Sequence, residues 1–163
     1  MLALLEHSPA TRLNTNFAAV AQNRFLIAKS TNLSDVIKRH AKDQDITFEQ
    51  ATSEMEELLK FLTLCSINPG KYGMAGRIDH AWHCCILFTQ KYASLCDMIG
   101  GKYIHHRPNT ERSNYREAAS TYADFIDDYI IAFGDPDSNY WPTKNAVTDC
   151  DDCTTCGHDC LTS

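Results

Sequence analysis

Apolar residues along this chain recur three and four positions apart rather than two, and that period commits most of the backbone to helix. A first helix is predicted around Asn16–Lys29, with Phe17, Val20, Ala21 and Phe25 on one side. A second begins near Asn32, groups Val36, Ile37 and Ala41, and ends in the polar run Lys42–Asp45. The third has the clearest start: Thr47-Phe-Glu-Gln50 fits a capping box, in which the threonine side chain accepts from an early backbone N–H while Gln50 reaches back. Ala51, Met55, Leu58, Leu59 and Leu62 then make one stripe, opposed by Glu54, Glu56 and Glu57. Asn68-Pro-Gly70 breaks the helix, and Gly73 and Gly76 keep the connection loose. A fourth helix, about Ile78 to Ile99, carries Ile78, Trp82, Ile86, Ala93 and Cys96 on one side and stops at Gly100-Gly101. Tyr103-Ile104-His105-His106 is irregular by comparison. After Pro108 a last helix turns Tyr115, Ala119, Tyr122, Ile126, Ile130 and Phe133 inward and ends at Gly134. The expected fold is all-α: a bundle of four or five helices with an irregular cysteine-rich C-terminal tail.

A chain of 163 residues with 44% hydrophobic content can bury one real core, so a single helical domain over residues 1–142 is expected. Residues 143–163 change character: they lose large apolar groups and read as an acidic, cysteine-rich appendage. The formal charge is −6, and Asp149, Asp151, Asp152 and Asp159 supply four of those negative charges. No basic face of the kind a phosphate backbone requires is present, which argues against nucleic acid as a partner. The opening run Met1–Glu6 lacks the positive segment of a secretory signal, and no stretch approaches the ~18 apolar residues of a membrane span. The expectation is a cytoplasmic protein with no membrane association. In a reducing compartment its eight cysteines point to metal binding or plain burial rather than to four disulfides.

The chemistry-bearing residues cluster at Asp79 to Cys85. Asp79 and His83 share an i,i+4 ridge at the border of the apolar stripe, whereas His80 points about 60° further round, toward water. Two ligands from one helix leave room for a third, and His105 or His106 is the candidate, brought back by the Gly100-Gly101 turn. An aspartate and two histidines suit zinc or iron with a position left open for water or substrate. The competing reading is structural: Asp79 caps the helix and His83 bonds to it. Cys84 follows His83 directly, but consecutive helical residues diverge by about 100°, so they make no nucleophilic dyad. Cys65, Cys84, Cys85 and Cys96 lie on or beside apolar faces, where cysteine behaves as a small hydrophobe.

Taken together, Asp79-x-x-Trp82-His83, Ile86-Leu87-x-Thr89-x-x-Tyr92, Cys96, Gly100 or Gly101 and His105-His106-x-Pro108 resemble the core signature of the glycine-rich domain-containing protein family, in its small bacterial form without the glycine-rich region. Lys60-Phe61-Leu62 in the preceding helix is similar too, so the resemblance spans about Phe48 to Pro108. One departure stands out: where that pattern often has Trp-His-x-His, this chain has Cys85. Cysteine can replace histidine as a soft ligand, but the exchange weakens any claim that this position binds metal. The resemblance implies a helical module with a site near Asp79, His83 and His106. It supplies no reaction.

In the tail, Cys150-x-x-Cys153-x-x-Cys156-x-x-x-Cys160 has the spacing of a bacterial ferredoxin run, but Leu161 replaces the usual proline and no second copy exists to share a cluster. Zinc on three or four thiolates is the simpler expectation, with iron or an iron–sulfur cluster the lesser alternative. Three function classes follow, in this order: a metal-binding helical protein using the body site, the tail or both; a noncatalytic module that docks a protein partner through Trp82, the tyrosines and acidic faces; and a metal-dependent enzyme.

Overall fold

The computed structural model describes residues 9–106 and 115–144. Among them are six helices and no strand: α1 (Pro9–Lys29), α2 (Ser34–Gln44), α3 (Phe48–Ile67), α4 (Ile78–Leu87), α5 (Thr89–Gly100) and α6 (Tyr115–Phe133). The count exceeds the expected four or five because the helix anticipated over residues 78–99 is two. They part at Phe88, whose backbone (φ −88°, ψ 64°) is not helical. The break lets α4 lie on α2 and α3 while α5 lies on α1 and α3, two directions that one straight helix could not serve.

α3 is the axis of the fold and touches every other helix. Its start follows the sequence: the Thr47 side chain accepts from the Gln50 backbone N–H at 3.1 Å. Its polar face does not. Because α3 is surrounded, Glu54 and Glu57 are buried alongside Met55, Leu58, Leu59 and Leu62, and only Glu56 of the expected acidic face stays partly open. A buried carboxylate needs compensating partners, and both have cationic or hydrogen-bonding neighbours. Glu54 Oε2 lies 2.6 Å from His40 Nε2, also fully buried, and Glu54 Oε1 lies 2.5 Å from Arg77 Nη2. Glu57 accepts from Lys60 Nζ at 2.7 Å, the Tyr129 hydroxyl at 2.8 Å and the Trp141 indole N–H at 2.7 Å.

On α6, Tyr122 and Ile126 face inward as anticipated, but Ile130 is 42% exposed, and Phe125 and Tyr129 take the core positions instead. Steps of four residues advance the helix by about 40° beyond a full turn, so a stripe drawn as 122, 126, 130 drifts off the buried face. Phe125 is the hub of an aromatic cluster with Phe61, Tyr72, Tyr129 and Trp141. Behind α6 the chain folds back so that Trp141 enters this cluster, held by the Tyr122 hydroxyl, which donates to the Pro142 carbonyl at 2.7 Å. Trp82 packs on Phe61 at 5.2 Å between ring centroids and is only 5% exposed, so it is a core residue and not the partner-facing anchor that the interaction reading required. No helix among the described residues is long and apolar enough to cross a membrane.

Candidate metal centre

α4 begins at Ile78 immediately after Arg77, whose guanidinium is fastened to Glu54 of α3, so the first turn of α4 is anchored from below. Asp79 projects from that turn. One turn on, His83 Nδ1 comes within 3.5 Å of Asp79 Oδ2, the i,i+4 relationship anticipated from the sequence. The third member arrives from beyond α5. Gly101 ends that helix in the left-handed conformation (φ 69°), the chain reverses, and His106 Nε2 reaches 2.7 Å from Asp79 Oδ1. One ligand atom from each of Asp79, His83 and His106 can be chosen so that all lie within 4.8 Å of one another. The His83 and His106 rings are 4.5 Å apart between centroids.

The three differ in exposure. The side chains of Asp79 and His106 retain 15% and 12% of their accessible surface, while that of His83 retains 50%. Asp79 and His106 are therefore mostly covered, and the group meets solvent chiefly through His83. The expected burial order of the two α4 histidines is reversed, because His83 is exposed and His80 is half-buried. The reason is Cys84: it is buried, with its Sγ 3.7 Å from the Val36 carbonyl of α2, and this extends the covered face of α4 toward His80 and away from His83. The i,i+4 pairing survives this because it depends only on helical spacing.

His105, the other proposed third ligand, is not brought to the group. It is exposed and its ring lies against Tyr103, 4.9 Å between centroids. Cys65, Cys84, Cys85 and Cys96 are all buried and unpaired, as expected for cysteines used as small hydrophobes. Burial holds their thiols above the usual range, Cys85 to about 12, which opposes a nucleophilic role. Cys150, Cys153, Cys156 and Cys160 lie outside the described residues.

Two groups around the site were not anticipated. The Tyr92 hydroxyl, fully buried on α5, accepts from the Trp82 indole N–H at 2.9 Å and donates to the Ile104 carbonyl at 2.6 Å. Burial foremost, with nearby Cys96 adding to it, keeps this hydroxyl protonated well above the ordinary tyrosine range. The Trp82 indole in turn meets the His106 ring edge to face, 4.4 Å between centroids. The signal was present in the sequence only as a general rule: a tyrosine and a tryptophan on apolar helix faces must each find a polar partner. The second group is the His40–Glu54–Arg77 chain, invisible to periodicity because its members come from three separate segments.

Residues 21–122 match the protein family described as UCP032817-like. No curated protein matches the chain, and no solved structure does.

Proposed function

The chain belongs to the UCP032817-like family, and from that premise we propose that it is a metal-binding protein whose helical body holds a divalent transition metal between Asp79, His83 and His106. The observation that carries the reading is the convergence of a carboxylate and two imidazoles from two distant segments within 4.8 Å. Nitrogen and oxygen donors of this kind suit zinc or iron(II), with zinc the simpler choice. The protein supplies three ligands, and the half-exposed His83 leaves solvent access for a fourth. A bound cation would supply Lewis acidity and a water of lowered pKa there; Asp79 and His106 would hold it from the covered side. Five of the positions that carry the likeness to the glycine-rich domain-containing proteins, Asp79, Trp82, His83, Tyr92 and His106, lie in or beside this one site, which supports reading that part of the likeness as a shared functional centre.

A second reading has its own observation. Asp79 and His106 already bond directly at 2.7 Å, which would suffice to tie the segment after α5 to α4 in a noncatalytic module. Metal analysis of untagged full-length protein, with Cys150, Cys153, Cys156 and Cys160 changed to serine, separates the two. The metal reading expects about one equivalent of zinc or iron retained by this three-ligand site. Less than roughly a tenth of an equivalent, even after anaerobic purification and reloading, rejects it in favour of the structural tie.

A further inference from the structure

We propose that Tyr92 is the positioning residue of the Asp79–His83–His106 site, one hydroxyl that sets His106 against Asp79 by bonding both walls at once. Its consequence for metal affinity rests on the reading above; its consequence for the placement of His106 does not.

The segment from Gly101 to His106 belongs to no helix or strand, so no ladder of backbone bonds fixes it. The bond that Ile104 accepts through its carbonyl, two residues before His106, comes from Tyr92. The direction of the chain of bonds is forced. An indole N–H can only donate, so the Tyr92 oxygen accepts from Trp82 and must spend its single proton on Ile104. Trp82 stands between Asp79 and His83 on α4 and is also the ring against which His106 rests. One oxygen atom thus holds α4 and the returning segment in a common register, and polarisation along the two bonds strengthens each. Tyr92 bonds no member of the trio directly, so it acts one step beyond the outer-shell partners of metal ligands, whose loss typically weakens metal affinity by about 10- to 100-fold.

Tyr92→Phe removes only that oxygen and keeps the ring, including its edge contact with Tyr103. Tyr72→Phe is the control: its partly buried hydroxyl also accepts one bond, from the Asn68 amide, and donates one, to the Asp128 carboxylate, away from this segment. Both are made in the full-length chain with the four tail cysteines changed to serine, and cobalt(II) is the probe. Tyr92→Phe is expected to bind cobalt about 10-fold more weakly, the lower end of that range, and to change the ligand-field spectrum of what it binds, while Tyr72→Phe matches the parent. In metal-free protein the His106 ring-proton resonance, displaced by the Trp82 indole, is expected to move toward that of free histidine in Tyr92→Phe alone. An unmoved His106 resonance in Tyr92→Phe overturns the proposal, as does an equal shift in Tyr72→Phe. If the parent takes up no cobalt, the metal reading falls, and the resonance alone decides whether Tyr92 places His106.

Discussion

Trp141 donates its indole N–H to Glu57 Oε2 at 2.7 Å, joining the chain beyond α6 to the central helix. The same oxygen accepts from the Tyr129 hydroxyl at 2.8 Å, and the carboxylate is closed on its other side by Lys60. Glu57→Ala would leave the buried Tyr129 hydroxyl and Trp141 indole N–H without their acceptor. A loss of about 3–5 kcal/mol is expected, the usual cost of breaking a buried ionic network from one side. Glu57→Gln keeps one acceptor oxygen and should lose less, about 1–3 kcal/mol. Urea unfolding with unchanged m-values checks both, and a Glu57→Ala loss no greater than that of Glu57→Gln contradicts the account.

The two glycines that end α5 should respond differently to a methyl group. At Gly100 a Cβ would stand 2.8 Å from the Ser66 Cβ and 3.3 Å from Arg24 Nη1, where α5 meets the end of α3 and α1. Helix propensity favours alanine there by up to ~1 kcal/mol, but the overlap forces two packed helices apart, so a net loss of about 1–3 kcal/mol is expected. Gly101 has open space around it and a left-handed φ of 69°, so Gly101→Ala is strained only in its backbone, by about 1 kcal/mol. Thermal unfolding should therefore rank Gly100→Ala below Gly101→Ala. The reverse order would mean that the α3–α5 contact is looser than the distances indicate.

Alkaline conditions should destabilise the fold early. Burial raises the Cys85 thiol from 9.0 to about 12 and raises Cys65, Cys84 and Cys96 as well. It also lifts the hydroxyls of Tyr72, Tyr92, Tyr122 and Tyr129 above their ordinary 10.0. Between the unfolded and folded values the folded chain keeps protons that the unfolded chain has released, so stability falls as pH rises. It is fully present below the ordinary thiol value of 9.0 and eroded above it, with thiols contributing first and phenols next. Urea midpoints measured with reductant across this range should decline. If Cys85→Ala and Cys96→Ala leave the slope unchanged, the thiols are not its source.

Within the candidate centre, His83→Ala and His106→Ala should each lower zinc affinity by at least about 10-fold, since each removes one of three ligands. His105→Ala should not, because His105 lies outside the group, against Tyr103. His80→Ala should also leave binding intact. Competition with a chromophoric chelator reads all four, and equal losses in His105→Ala and His106→Ala would reject the assigned ligand set.

What could be read from the sequence was what depends on local spacing. Periodicity gave helices and the i,i+4 meeting of Asp79 and His83, and Thr47 marked a helix start. What could not be read were the consequences of enclosure. Glu54 and Glu57 look like a solvated face until α3 is seen to pack against all five other helices, and Ile130 looks buried until the turn-by-turn drift of α6 is followed. The third member of the group was narrowed to His105 or His106, and the choice between neighbours follows the reversal at Gly101 and the bond from Tyr92 to Ile104, neither of which leaves a periodic trace.

The non-helical backbone at Phe88 gives the site an elbow. Had α4 and α5 been one helix, the distance between Asp79 and His83 on α4 and the segment that returns from α5 would follow from helical rise alone. With a joint there, that distance depends on an angle, and the angle is braced across its inside by the Trp82–Tyr92 bond. The spacing of Asp79 and His106 is thereby governed at Phe88, a residue that contributes no side chain to the group.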